Sequence, residues 1–319
     1  MNTNKLLSML CGALLLLPCS AAHADRPSLE SLQQQINHLQ KQVNILQADN
    51  TALKDKLACV TMVGHEVYFT GCNVNIRSGS GSTSGPVNGL GNLIVGYNEP
   101  YGTPARTGSH NLVVGAQHEY TSYGGLVVGY RNKITGVFAS VSGGYLNTAR
   151  GSYSSVSGGA VNAASGTNSS VSGGNSSSAS GTDSSVSGGY NSNASGKASS
   201  VSGGDHNTAS GGGGSVSGGS GNTASGKASS VSGGLFNTAF ADGSAVVGGD
   251  HNLAGDPSKL NHTVGTVSSV SGGAFNTASG TNSSVSGGRS NAASGGYSSV
   301  LGGNGQNATT QYQTIPALP

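Results

Sequence analysis

The sequence predicts a mainly β protein: a parallel β-roll, or β-solenoid, of 14–15-residue coils preceded by an N-terminal α-helical coiled coil. Three observations carry this reading. The phrase Ser-Val-Ser-Gly-Gly around Val141 returns at Val156, Val171, Val186, Val201, Val216 and Val231, each fifteen residues on. Val246 keeps the step, an insertion delays the next copy to Val270, and Val285 and Val300 resume it. Upstream, apolar residues recur at three-four spacing from Leu29 to Leu57 without a slip. Fixed self-similarity marks a solenoid. A fifteen-residue period is too short for a helical repeat and fits two short strands joined by two turns.

Position within the repeat has meaning. In most copies Asn follows the valine by six residues, as at Asn147, Asn162 and Asn207. Ala follows by eight in every copy, from Ala149 and Ala164 to Ala308, and Gly by ten in most. Even offsets share one face of a strand. Val, Asn, Ala and Gly are therefore assigned to the interior, and the serines flanking Val to the exterior. The expected repeat core comprises Val141, Ala149, Val156, Ala164, Val171, Val186, Val201, Val216, Val231, Val246, Val270, Val285 and Val300. The Gly-Gly pairs are assigned to turns that need positive φ or close backbone approach, so Gly203→Val is expected to disturb one. One valine and one alanine per coil is little burial against the entropy of ordering fifteen residues. Ladder hydrogen bonds, end caps and association of several chains are expected to contribute. A flexible Gly/Ser linker is the alternative for such a composition, but it gives no reason to hold Val, Ala and Gly-Gly in phase.

Taken in order, residues 1–24 read as a signal peptide, with Lys5, an apolar run from Leu6 to Leu17, and Ala22-His23-Ala24 as the cleavage site. The chain is then expected to be secreted, extracellular or on a bacterial cell surface. Residues 25–58 read as the coiled-coil helix. Leu29, Ile36, Val43, Asn50 and Leu57 take heptad position a, and Leu32, Leu39, Leu46 and Leu53 position d. Asn50 is expected to fix register. Ile and Val at a with Leu at d lean towards a dimer in parallel coils. One amphipathic helix lying on a domain is the other reading of the stripe.

Residues 59–91 read as a junction or cap. Cys59 and Cys72 flank a β-prone stretch from Val60 to Phe69, which suggests a strand or hairpin. In a secreted chain a disulfide between them is favoured. Residues 92–310 form the roll, which opens in a more apolar version: Asn92-Leu-Ile-Val-Gly96, Asn111-Leu-Val-Val-Gly115 and Gly125-Leu-Val-Val-Gly129. Counting fifteen back from Val141 gives Leu126, and the first Gly of the pair is then replaced by Val, which suggests a thicker core here. Two insertions, Glu99–Arg106 and Asp256–Val264, are expected to loop out from the side. Tyr101, Arg106, Lys259 and His262 are candidate contacts there, with tolerated loop growth as the other reading. Residues 311–319 are a tail, and no train of alternating apolar strands follows the last repeat, so no transmembrane anchor of the chain's own is expected.

Composition argues against chemistry. A formal net charge of +2 with 8% charged residues argues against a nucleic-acid surface. Twelve scattered acidic residues offer no catalytic cluster, so no enzyme is expected. Asp205-His206 and Asp250-His251 recur at one repeat position, three coils apart. That is roughly 14 Å at sheet spacing, too far to share a metal within a chain. No P-loop or calcium-binding nonapeptide is present. No catalytic residue, metal or cofactor is assigned.

Asn-Leu-Ile-Val-Gly and Ser-Ser-Val-Ser-Gly-Gly, followed by Asn-x-Ala-x-Gly, resemble the head repeats of trimeric autotransporter adhesins, the YadA-like head or haemagglutinin repeat. The resemblance covers roughly Asn92 to Thr310. It implies a left-handed parallel β-roll, three chains side by side, and attachment to extracellular matrix or a cell-surface ligand. The chain departs from that pattern in four ways: the family's membrane anchor is not expected here, the coiled coil precedes the head, the repeat is mostly fifteen residues rather than fourteen, and an apolar inward position is replaced by Gly. A homotrimer is expected, with a dimer open. An ice-binding array, motivated by the outward Ser ladder, and a purely structural or fibre solenoid are the alternatives.

Overall fold

The structure is a computed structural model that describes residues 28–259 and 261–316; the signal-peptide expectation at 1–24 lies outside the described residues. The chain divides into two units between Val74 and Asn75, so the 59–91 junction is shared between them.

The first unit holds helix α1 (Leu29–Lys56). It starts at Ser28, whose hydroxyl accepts the Ser31 N–H at 3.1 Å, satisfying one of the first-turn donors. Glu30 in the first turn and Lys54 and Lys56 in the last suit the helix dipole. Leu57, expected as the last a position, is the C-cap residue just past the helix. A hairpin follows, β1 (Val60–Val63) and β2 (Glu66–Phe69), turning at Gly64 with φ +61°. Cys59 and Cys72 are disulfide-bonded across its open end, with Cα atoms 6.1 Å apart.

The second unit is a parallel solenoid of two sheets. One has fifteen strands, from Leu93–Val95 to Thr314–Ile315, and carries the valines; the other has thirteen, from Glu119–Tyr120 to Asn307–Ala308, and carries the alanines. Neighbouring coils pair like with like: Val156 with Val141 and Val171, Ala164 with Ala149 and Ala179. Every core valine and alanine expected from the sequence is buried, as are Asn162 and Gly166 of the same coil. A further inward column, two residues before each valine (Ser154, Ser169, Ser184), is also buried.

The buried asparagines form a ladder in two runs. Asn147 donates through Nδ2 to the carbonyls of Gly143 (3.1 Å) and Gly159 (2.9 Å), and its Oδ1 accepts the Asn162 N–H at 2.9 Å. One amide thus satisfies the turn of its own coil and the turn of the next, where an unpaired buried carbonyl or N–H would be costly. The pattern runs on through Asn291. It weakens at Ser177 and Ser192, whose shorter side chains donate only to Asn175 O and Tyr190 O, at 3.4 and 3.3 Å, while Ser177 Oγ accepts the Ser192 N–H at 3.4 Å.

The two glycines of each pair differ. Gly204 has φ +87°, and a Cβ there would lie 2.1 Å from the Gly219 carbonyl oxygen and 2.5 Å from Asn207 Nδ2. Gly203 has ordinary φ, and a Cβ would meet nothing within 4 Å. The structural demand therefore rests on the second glycine, and the expectation for Gly203 is corrected.

The register of the first coils is corrected as well. Val127, not Leu126, pairs with Val141, and Gly129 stands against Gly144. These coils are fourteen residues long, since Val113, Val127 and Val141 are evenly spaced. The first glycine of later coils is an added residue rather than a replaced inward one, and Val114 and Val128 are half-buried outward residues. The core is nevertheless thicker here, because Tyr120 and Ile134 occupy the alanine column.

Candidate functional surface

Four surfaces are free to act. The first is the apolar stripe of α1. Leu32, Ile36, Leu39, Val43, Leu46 and Leu53 are all exposed along one heptad seam, as are Leu29 and Leu57 at its ends, with Asn50 among them. Coverage of such a stripe by a partner helix is what a heptad pattern is built for.

The second is the outer face of the valine sheet. In its first three strands Leu93, Leu112 and Leu126 pair in register, and so do Val95, Val114 and Val128. All are at least partly exposed, forming an apolar patch. Further along, the same face carries serines, such as Ser155 beside Ser140 and Ser170. The added glycines Gly158, Gly173, Gly188 and Gly203 edge this face with no neighbour within 4 Å of a Cβ.

The third comprises two rows of turn residues with positive φ. Leu146, Val161, His206, Phe236, His251 and Phe275 lie in one row, Phe138, Tyr153, Val267 and Tyr297 in the other. Left-handed backbone costs a bulky L-residue roughly 1 kcal/mol or more. Ring contacts between coils offset part of that. Phe236, His251 and Phe275 follow one another at 5.0 Å between ring centres, and Tyr297 stacks on Tyr312 at 5.1 Å. His206 and His251 each hold the preceding aspartate at 2.6 Å. Among the described residues no three His, Cys, Asp or Glu side chains gather to hold a metal.

The fourth comprises the insertions. Arg106 is an anchor: Nε donates to His118 O and Nη2 to Glu99 O, each at 3.1 Å. His262 is another, with Nδ1 2.5 Å from Phe240 O and its ring 4.3 Å from the Phe240 ring. Tyr101 and Lys259 are exposed. Asp256 starts the second loop by accepting the Ser258 N–H (3.0 Å) and hydroxyl (2.6 Å); the hydroxyl bond, first, holds its carboxyl below the usual range.

One residue escaped sequence reasoning. His118 is fully buried in the asparagine column, with Nε2 donating to Val114 O at 3.0 Å and Nδ1 accepting the Asn132 N–H at 3.2 Å. Those partners require the neutral ring. Burial, above all, pushes its pKa below the ordinary value. Its only signal in the sequence is its place fourteen residues before Asn132.

Among the described residues no helix is long and apolar enough to cross a membrane. No model of a known protein family matches the chain, and no curated protein matches it. The fold itself defines the class: a two-sheet parallel β-solenoid, one valine and one alanine strand per coil, on a chain that also carries a helix with an exposed apolar stripe. Such a scaffold presents a repeated surface.

Proposed function

We propose that the chain is a secreted or cell-surface interaction protein, adhesin-like and non-enzymatic, acting as a homotrimer of the YadA-like head type. The observation that carries this reading is the exposed heptad stripe of α1 on a chain whose second unit is a long, regular solenoid. A stripe of this kind associates in water by burying its leucines. The apolar patch at Leu112, Val114, Leu126 and Val128 supports close contact between rolls. The disulfide suits an oxidising, extracellular compartment. In a trimer the turn rows and insertions stay outward, available to a matrix protein or a cell surface.

Two measurements test this. Light scattering of the mature protein should give the mass of three chains; a monomer removes the assembly, and a dimer makes the trimeric head repeats the wrong template. Fluorescently labelled protein should bind immobilised matrix proteins or cultured cells, and loss of binding to all of them would leave only a structural role.

A further inference from the structure

We propose that the cleft between the first insertion and the outer face of the alanine sheet is a binding site for the end group of an acidic sugar, a monosaccharide carrying one carboxylate. This deepens the interaction reading above and rests on it.

The site is built where the first insertion meets a cluster of charged side chains, Glu119, Arg131 and Lys133, on a chain with only 8% charged residues. Tyr101 lies in the insertion, and the Arg131 guanidinium sits 3.7 Å from the centre of its ring. The ring fixes the guanidinium plane. Among the described residues no hydrogen bond or ion pair engages that guanidinium, so a rigid fork of N–H donors is left on offer. Beside it Lys133 is paired with Glu119 at 2.6 Å. Gln117 lines the same wall; its side-chain oxygen is buried and, among the described residues, has no hydrogen-bond partner. These residues and Leu146 line a cavity of about 140 Å³. The cavity is small and open to solvent, which suits the end group of a ligand.

The groups sort by chemistry. A carboxylate matches the Arg131 fork through two parallel charge-assisted bonds. Sugar hydroxyls suit the part-exposed Glu119 carboxylate, an acceptor. The C–H face of a sugar ring suits the Leu146 and Tyr101 edges. The charge count selects the ligand further. Glu119 neutralises Lys133, which leaves Arg131 as the free cation among the described lining residues, so a singly charged carboxylate fits and a phosphate dianion would face Glu119.

The test is saturation-transfer NMR on the mature, full-length protein with glucuronate as probe, and glucose and inorganic phosphate as counter-probes. Glucuronate is expected to give a saturable signal that glucose does not give and phosphate does not displace at equal concentration. Arg131→Gln should weaken glucuronate by about tenfold or more. Its turn position holds Leu146, Val161, Ser176 and Asn191 in later coils, so the fold tolerates the change. Glu119→Gln should keep glucuronate and let phosphate compete. Equal signals from glucose and glucuronate, displacement by phosphate in the wild type, or unchanged binding in Arg131→Gln would each overturn the site. Attachment to surfaces without glucuronate binding would sink this site and leave the interaction reading standing. Glucuronate binding without attachment would do the reverse.

Discussion

Exchanging one glycine of a pair and then the other separates two kinds of constraint. In Gly204→Ala the new methyl group meets the Gly219 carbonyl oxygen at 2.1 Å and Asn207 Nδ2 at 2.5 Å, on backbone at φ +87°. The left-handed conformation costs roughly 1–2 kcal/mol with a Cβ present. Nor can the carbonyl retreat freely, because it accepts the Asp205 N–H and Asn207 Nδ2 at 2.9 and 3.0 Å. Displacing Asn207 also weakens its bond to Gly203 O at 2.8 Å, and a buried hydrogen bond broken on one side costs about 1–3 kcal/mol. The sum is on the order of 2–5 kcal/mol for one methyl group. Gly203→Ala meets nothing within 4 Å at ordinary φ. It is expected to be neutral or stabilising by about 0.4–1 kcal/mol, through the lower entropy of the unfolded chain. Urea melts followed by far-UV circular dichroism, with the two variants side by side, read the difference. Equal destabilisation by both would refute the assignment of the constraint to the second glycine. It would also mean that a neighbouring chain lies against the first.

Three further outcomes follow from the same architecture. Ser177→Asn combined with Ser192→Asn should close the gap in the amide ladder, raising stability by about 1 kcal/mol per site; unchanged hydrogen exchange in coils 170–207 would contradict this. Because the buried His118 ring has its pKa lowered in the fold, its contribution is fully present above its unfolded pKa of about 6.5 and is lost as pH falls towards the folded value. The melting temperature should therefore drop in acid, and His118→Asn should flatten that dependence; an equal acid slope in the variant would assign it elsewhere. Removing the Cys59–Cys72 bridge should cost the hairpin roughly 3 kcal/mol and expose it to proteolysis; an unchanged cleavage pattern would show that the bridge holds nothing.

The solenoid was legible because its interior admits so few solutions. Strand alternation places Val156, Asn162, Ala164 and Gly166 inward, and each is inward. The same rule applied two residues upstream would have found Ser154; its hydroxyl disguised it as surface, yet a serine is small enough to be buried in a narrow roll. The first coils were misregistered because one residue is missing between Val127 and Asn132, and a period counted backwards from Val141 cannot see a deletion. The cleft was half visible. Tyr101 stood out as an insertion residue, but its meeting with Arg131 depends on how far the loop folds back, which no spacing in the sequence specifies. Arg106 and His262 looked equally free as sequence, and both hold down their own loops.

Where specificity can reside follows from what the coil leaves unconstrained. The Val, Asn and Ala columns, and the glycine ten residues after the valine, are held by packing or by the next coil's backbone; a Cβ on Gly166 would lie 2.0 Å from Gly181 O. A residue recruited from those columns for binding would break the ladder on both sides. The turn rows have no such neighbour, and they hold Leu146, Asn191, His206, Gly221 and Phe236 in the same place. Even so, one coil offers only one or two such positions, so a site of several different groups needs an insertion or adjacent coils that differ. Both conditions meet around Tyr101, where an insertion folds against two fourteen-residue coils bearing Gln117, Glu119, Arg131 and Lys133. Further along, near-identical coils repeat near-identical groups at strand spacing. That suits a spacer or a multivalent edge, and it concentrates discrimination between ligands at the N-terminal end of the roll.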